Sequence, residues 1–427
     1  MERFTGLLGI VLILGVAFLM SNNRKAINYR TVGVGLLLQV LLAVFILKTE
    51  VGQSLFQWLG DRINTLLGQA DKGALFVFGS LVDRDLMTKA FGPGNDYIFF
   101  FKVVPTIIFV AVLVNMFYHL GILQRIVSTM GRGVHWLMGV SGAEALSNVA
   151  STFVGQVEAQ IMIKPYLKNM TNSELMASMT GSFACIAGGV MAVYISMGVP
   201  AEYLIAASLM AAPGALVISK IVLPETEEST TKGTVKLEIK KAHANLMDAI
   251  SHGASDGLKV SLNVIAMLIG FIALIAMIDA ILGYAGRGMM SAGMSLSAVG
   301  IDLSILSLKQ ILGSFFSVFA FTMGVPWAEA SQVGGLLGTK MVINEFVAYS
   351  DLSVMIKAGL LSKKALTIVS FALCGFANFS SIAIQVGGIG ELAPDRRQDL
   401  ARLGFKALIC GTLASYLSAT IAGILIG

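Results

Sequence analysis

Apolar runs recur along this chain at 5–21, 31–48, 98–123, 175–195, 201–223, 258–284, 366–390 and 403–427. Each approaches the roughly 20 residues that an α-helix needs to cross a bilayer. Lipid leaves no partner for an unpaired backbone amide, so only helices and closed barrels span it. The ten-residue alternating strands of a barrel do not occur here. The pattern predicts an all-α polytopic membrane protein of about eight transmembrane helices. Composition agrees: 56% of the 427 residues are hydrophobic and only 13% charged, with a mean hydropathy of +0.80, whereas about a quarter of residues carry charge in soluble domains.

The same numbers narrow the function. A net charge of +5 is mild for this length, and the basic residues cluster at segment ends, where they act as orientation signals. No nucleic-acid polymer is expected as a partner. Cys185, Cys374 and Cys410 lie in apolar segments without metal spacing and read as packing residues. His119, His135, His243 and His252 are scattered along the sequence with no metal-ligand partner, and neither a Ser/His/Asp set nor a phosphate loop is present. An enzyme is therefore not expected, and no organic cofactor is. The first apolar run is followed by Asn22-Asn23-Arg24-Lys25 and not by a small-residue cleavage site, so it reads as a helix and not as a signal peptide.

Between the second and third runs, the stretch 51–68 places Val51, Leu55, Leu59, Ile63 and Leu67 opposite Gln53, Gln57, Asp61 and Asn64. Such a stripe suits a helix lying in the membrane interface; a short helix packed on its neighbours is the alternative. Arg24, Lys25 and Arg30 in one link and Arg396, Arg397 and Arg402 in another place both on the cytoplasmic side, with both termini outside if eight helices is correct. Lys357, Lys363 and Lys364 do not fit that rule cleanly. The charged stretch from Pro224 to Lys241 reads as a cytoplasmic loop between two halves.

Two segments, 137–168 and 303–345, are apolar but repeatedly broken by Gly, Ser, Asn and Gln, and each carries a glutamate, Glu158 or Glu345. They read as re-entrant helical hairpins, because non-helical backbone at membrane depth is tolerated only where protein or a cavity covers it. Each is followed by a glycine-broken helix, "GSFACIAGGV" at 181–190 and "SFALCGFANFSS" at 370–381. The matched order of hairpin, broken helix and plain helix suggests an internal inverted repeat, and broken helices in corresponding halves point to a transporter's midplane site. The organisation expected is 1–125 mainly scaffold, 126–223 a first transport repeat, 224–256 a charged loop and short helix, 257–302 a scaffold helix, and 303–427 a second repeat.

A carboxylate at the centre of a membrane helix costs about 2.5–3.5 kcal/mol. Glu158 and Glu345 are therefore candidates for function; exposure at a hairpin tip, or pairing with Lys164 or Lys340, is the alternative. Glu345, Asn378 and Ser381 offer the mixture of acceptors and donors that suits a vicinal diol. Gln156 and Glu158 suit the edge of a heterocycle, and Phe376 offers an apolar flank. From the residues alone the solute is neutral and either polyhydroxylated or amide-rich, and no arginine stands in either break to favour an anion.

At these positions the sequence closely resembles the concentrative nucleoside transporter family, in its bacterial branch. The carrying motifs are "FVGQVEAQ" (153–160), "GVPWAEA" (324–330), "NEFVAY" (344–349) and "CGFANFSSIAI" (374–384), supported by "NRKAINYRTVG" (23–33) and "FVFGSLV" (76–82). The resemblance implies a homotrimer in the bacterial inner membrane, with an elevator-like transport domain. It implies that Gln156, Val157 and Glu158 face the nucleobase, that Glu345, Asn378 and Ser381 hold the ribose, and that Val190 and Phe376 line the site. It also implies a sodium site from the carbonyls of Val154 and Ile186 with the side chains at 151 and 185. There Ser151 and Cys185 replace the Asn and Ser of sodium-coupled relatives, and sulfur is a poor ligand for a hard cation. Proton coupling through Glu158 or Glu345 is the alternative.

The expectation is a cation-coupled nucleoside importer favouring pyrimidine nucleosides such as uridine, with sodium ahead of the proton. A carrier of the same type for another small neutral solute, or an uncoupled channel-like pathway, are the competing readings.

Overall fold

The computed structural model describes residues 2–92, 98–233, 243–295 and 301–426. Lys236, Glu238, Lys240 and Lys241 of the charged loop lie outside the described residues. Twenty α-helices follow one another, with no strand among the described residues. The N-terminal third holds α1 (Glu2–Leu19), α2 (Tyr29–Lys48), α3 (Glu50–Leu67), α4 (Ala70–Phe78), α5 (Arg84–Phe91) and α6 (Phe99–His119). A first series then runs α7 (Ile122–Met138), α8 (Gly142–Ser151), α9 (Glu158–Ile161), α10 (Lys164–Leu167), α11 (Asn172–Ala184), α12 (Gly188–Ser196) and α13 (Ala201–Val222). After α14 (Leu246–Ser291) comes a second series: α15 (Leu308–Thr322), α16 (Trp327–Val342), α17 (Glu345–Lys357), α18 (Lys363–Leu373), α19 (Phe379–Leu392) and α20 (Arg397–Ile426).

Six helices are long and apolar enough to span a bilayer: α2, α6, α11 with α12, α13, α14 and α20. The two remaining runs of the expected eight are α1, which is shorter, and α18 with α19, whose axis is interrupted between Leu373 and Phe379. The sequence places the second hairpin at 303–345, and the structure has two breaks within that segment. The chain turns by 118° between α15 and α16, and the polar break falls later, at Ile343 and Asn344, between α16 and α17. Glu345, at the far end of that segment, opens the helix that follows the break. The cause is local: Asn344 has an extended backbone and its side chain accepts the Val347 N–H at 3.0 Å, an N-cap that starts a new helix.

The amphipathic stretch forms α3 over almost the expected residues, and its apolar stripe runs from exposed at Val51 and Leu55 to buried at Leu67. Gly52, Phe56 and Gly60 turn inward, whereas Val51 and Leu55 are exposed. The glycines explain this, since a Cβ on Gly52 would lie 1.7 Å from the Phe45 carbonyl oxygen and one on Gly60 3.4 Å from Ala201 Cβ. The small face seats α3 on α2 and α13 and leaves Val51 and Leu55 available to lipid, while Leu67 enters the core.

The links that carry the basic clusters meet at one end of the molecule. Asn22 N–H donates to the Val222 carbonyl at 3.0 Å and Lys406 Nζ donates to Asn22 Oδ1 at 2.6 Å. Arg396 reaches the carbonyls of Leu167, Lys168 and Met170, which ties the end of the first hairpin to the start of α20. Beside them Lys220 Nζ lies 2.7 Å from Glu144 Oε2, both side chains buried. Removing one partner of such a pair strands a buried charge, at a cost of about 3–5 kcal/mol.

A separate pairing forms between α6 and α14. Gly253, Gly257 and Ser261 recur every fourth residue on α14 and are buried. Cβ atoms on the two glycines would fall 2.7 Å from Val112 Cα and 2.6 Å from Ile108 Cα. This is the small-residue contact by which membrane helices approach closely. It builds a rigid two-helix wall facing the hairpins.

Candidate functional site

The two broken helices touch at their breaks. α11 ends in extended backbone at Cys185, α18 ends likewise at Cys374, and the Phe376 N–H donates to the Cys185 carbonyl at 3.2 Å. Gly375, at φ +135°, makes the approach possible, since a Cβ there would meet the carbonyl oxygens of Phe183 and Ala184 at 2.6 and 2.8 Å. Each hairpin break then joins this crossing. The Gly188 N–H donates to the Phe153 carbonyl at 3.2 Å on one side. On the other, Asn378 Nδ2 donates to Glu345 Oε2 at 2.9 Å. Four interruptions far apart in sequence thus form one polar centre.

Glu345 and Asn378 are both buried. Tyr194 Oη donates to Glu345 Oε1 at 3.3 Å, so each carboxylate oxygen has one donor. Tyr194 is held in turn by stacking on Tyr349 at 4.0 Å between ring centroids, and Tyr349 Oη donates to the Ser370 carbonyl at 2.9 Å. Lys340, the expected alternative partner of Glu345, instead donates to the Ala372 carbonyl at 2.8 Å. Asn378 is also the N-cap of α19, its Oδ1 accepting the Ser381 N–H at 2.9 Å and the Ser380 hydroxyl at 2.7 Å.

Two contiguous cavities open on this centre. The smaller, about 160 Å³, is lined by Glu345, Asn378, Ser380 and Ser381 at one end and by Gln156, Val190 and Phe376 at the other. The larger, about 630 Å³, continues past Gln156, Val157 and Glu158, and falls within the roughly 300–1,000 Å³ usual for small-molecule sites. Its far wall is apolar and comes from α6 and α14, through residues such as Ile107, Val114, Val260 and Val264. All eight residues that sequence reading assigns to the solute therefore line one continuous space. Glu158 stands exposed in it, while Gln156 is only loosely held, 3.5 Å from Ser381 Oγ and 3.4 Å from Gln385 Nε2.

Sequence reading does not find Tyr194, Tyr349 or Gln385, because aromatic and amide residues on apolar helices carry no periodic signal. The wall from α14 is missed as well, since Val260 and Val264 look like any lipid-facing residues.

The expected ion residues cluster between the first hairpin break and the α11 break. Val154 and Ile186 are buried, and among the described residues neither carbonyl receives a hydrogen bond. Buried carbonyls are nearly always paired, so these two acceptors fit a small hard cation. The side chains fit less well. Ser151 Oγ donates to the Ser147 carbonyl at 2.9 Å and lies 3.2 Å from Ser182 Oγ, and Cys185 contributes sulfur.

Comparison with known proteins agrees with this architecture. Residues 203–423 match the model "Na+ dependent nucleoside transporter C-terminus", 8–81 its N-terminus, and 100–201 "Nucleoside recognition". The chain is 45% identical to the uncharacterized transporter YutK of Bacillus subtilis over the whole of both chains. It is 38% identical to the nucleoside permease NupC of Helicobacter pylori, covering 98% of this chain and 97% of NupC. With sodium/nucleoside cotransporter 1 of Rattus norvegicus the identity is 39%, over 99% of this chain and 64% of the rat protein. Among solved structures, CNTnw in an inward-facing substrate-bound state superposes with a TM-score of 0.91 at 41% identity, covering 100% of this chain and 98% of that one. A CNTnw variant in an outward-facing state gives the same score, identity and coverage. These relatives form a family of transporters and not of enzymes, and the bacterial NupC-like relatives together with the apolar helices support a multi-pass inner-membrane protein. From its first helix to its last, this chain belongs to the concentrative, Na+-dependent nucleoside transporter family.

Proposed function

We propose that this chain imports nucleosides by sodium-coupled secondary transport, with pyrimidine nucleosides such as uridine preferred. The observation that carries the reading is the set Glu345, Asn378 and Ser381 facing Gln156 across one small cavity. A ribose diol donates to the buried carboxylate and accepts from the Asn378 amide, while the amide of Gln156 and the carboxylate of Glu158 address the base. The stacked Tyr194 and Tyr349 hold Glu345 in place before substrate arrives, which reduces the ordering cost of binding.

Coupling follows from the crossing of the breaks. A cation on the carbonyls of Val154 and Ile186 would order the first hairpin break, and the next residues along the chain are Gly155 and Gln156. Substrate then meets a preformed amide, and reciprocity requires substrate to raise cation affinity by the same factor. The close-packed α6–α14 wall opposite the hairpins supports an elevator, in which the hairpins and broken helices move as a body past a fixed scaffold, assembled as a trimer.

The test is uptake of radiolabelled uridine into proteoliposomes under inward sodium or inward proton gradients imposed separately. Accumulation driven by sodium supports the reading, and accumulation driven by protons alone moves coupling to Glu158 or Glu345. No accumulation under either, or competition by other small neutral solutes but not by uridine, overturns it.

A further inference from the structure

Three of the protein's four histidines come together where one of them, His243, lines the larger cavity. The His119 and His243 ring centroids are 6.3 Å apart, and those of His243 and His252 are 5.0 Å apart. Asp248 stands between the last two. Its Oδ1 is 3.5 Å from His252 Nε2 and its Oδ2 is 3.9 Å from His243 Nδ1. One ligand atom from each of His243, Asp248 and His252 lies within 4.8 Å of the other two.

We propose that His243, Asp248 and His252 form a site for a divalent transition metal of the zinc class, and that its occupation slows passage through the adjoining cavity. The tautomer of His243 is already that of a ligand. Asn115 Nδ2 donates to the Ala111 carbonyl at 3.0 Å, which turns Asn115 Oδ1 toward His243 Nε2 at 3.2 Å. The ring therefore donates from Nε2 and keeps a lone pair on Nδ1, a buried atom with no hydrogen-bond partner among the described residues. Orientation of a metal-binding imidazole by a partner on its other nitrogen is the usual support of such sites.

Asp248 and His252 sit one turn apart on α14, and His243 comes from the segment before it. Ligand bonds of about 2.0–2.2 Å require these atoms to draw closer. His252 is free to do so, with its side chain 58% exposed, whereas Asp248, 37% exposed, is oriented by the Ala244 N–H, which donates to its Oδ2 at 2.9 Å. Two imidazoles and a carboxylate select zinc over magnesium or calcium and leave a fourth position open. His243 and Asp256 both line the cavity, so an ion here would tie the 243–245 segment to α14 at the opening.

The test is zinc titration of the purified, tag-free, chelator-stripped protein by calorimetry, with His252→Ala, Asp248→Asn and the control His135→Ala. One zinc per chain is expected, weakened at least tenfold by His252→Ala and by Asp248→Asn, unchanged by His135→Ala, and not displaced by millimolar magnesium. Zinc affinity unchanged in both site variants overturns the site. Uridine uptake by proteoliposomes should fall at least fivefold with zinc in the wild type and not in His252→Ala; zinc bound with uptake unaltered overturns the effect on passage. Failure of uridine uptake without zinc would concern the transport reading alone, since the titration stands independently of it.

Discussion

Asn378 serves Glu345 and its own helix at once: its amide nitrogen donates to the carboxylate at 2.9 Å while its amide oxygen caps α19 through the Ser381 N–H at 2.9 Å. The two duties are separable. Serine caps a helix about as well as asparagine but is too short to reach Glu345. Asn378→Ser should keep thermal stability within about 1 kcal/mol of the wild type while uridine affinity drops about tenfold or more, as expected for loss of a hydrogen bond to a charged group worth roughly 1.5–3 kcal/mol. Calorimetry beside a melting curve reads both, and a fall in stability with affinity retained would reverse the assignment of roles.

Glu345→Gln keeps the shape of the side chain and removes the charge. Asn378 keeps an oxygen to donate to and the Tyr194 hydroxyl can turn to accept from the new amide, so folding should survive, whereas a ribose diol loses its anionic acceptor. Uridine affinity should weaken about 10- to 150-fold, from the same energy of a charge-assisted bond. Combined with Asn378→Ser the losses should not add, because contacting residues share the interaction they remove. Unchanged affinity in Glu345→Gln would sink the ribose assignment.

How far the sequence reveals this site follows from what each residue contrasts with. Glu158, Glu345 and the "NFSS" break stand out because polar residues are costly in lipid, and Glu158, Glu345, Asn378, Ser380 and Ser381 line the cavities. Tyr194 does not stand out, because a tyrosine in an apolar helix is ordinary until its hydroxyl is seen against Glu345. Both breaks of the second hairpin segment fall inside 303–345, but the sequence does not show that a new helix starts at Glu345, because the glycines and the Val-Pro-Trp turn at 325–327 are stronger breakers than Ile343 and Asn344. His243, Asp248 and His252 lie within ten residues, but their spacing matches no zinc motif, and only the structure shows that the segment before α14 brings His243 beside Asp248.

Gly388 of α19 faces the first hairpin break, where a Cβ would lie 2.6 Å from Val157 Cγ2. Val157 stands between Gln156 and Glu158, so pressure on it moves both. Gly388→Ala should lower uridine affinity several-fold with an overpacking cost of about 1–3 kcal/mol. Val157→Ala in the same chain should restore much of the loss by freeing two methyl groups. Equal losses in the single and double variants would show that the glycine acts through its backbone and not through this contact.

The ion can be tested at Cys185, which is fully buried between the paired breaks. Its backbone carbonyl is taken by Phe376, so a contribution to a cation at the neighbouring Val154 and Ile186 carbonyls would come from its side chain, which contacts Thr152. Cys185→Ser replaces a soft sulfur by a hydroxyl oxygen of slightly smaller size, and hard cations prefer oxygen. If sodium occupies those carbonyls, the sodium concentration giving half-maximal uridine binding should fall about 3- to 10-fold, and by reciprocity saturating sodium should enhance uridine affinity more than it does in the wild type. If protons couple instead, the substitution should leave the response to a proton gradient unaltered and confer no sodium dependence, because the group that titrates is a carboxylate elsewhere in the cavity. Uridine binding measured across a sodium series at fixed pH, and across a pH series in sodium-free buffer, separates the two.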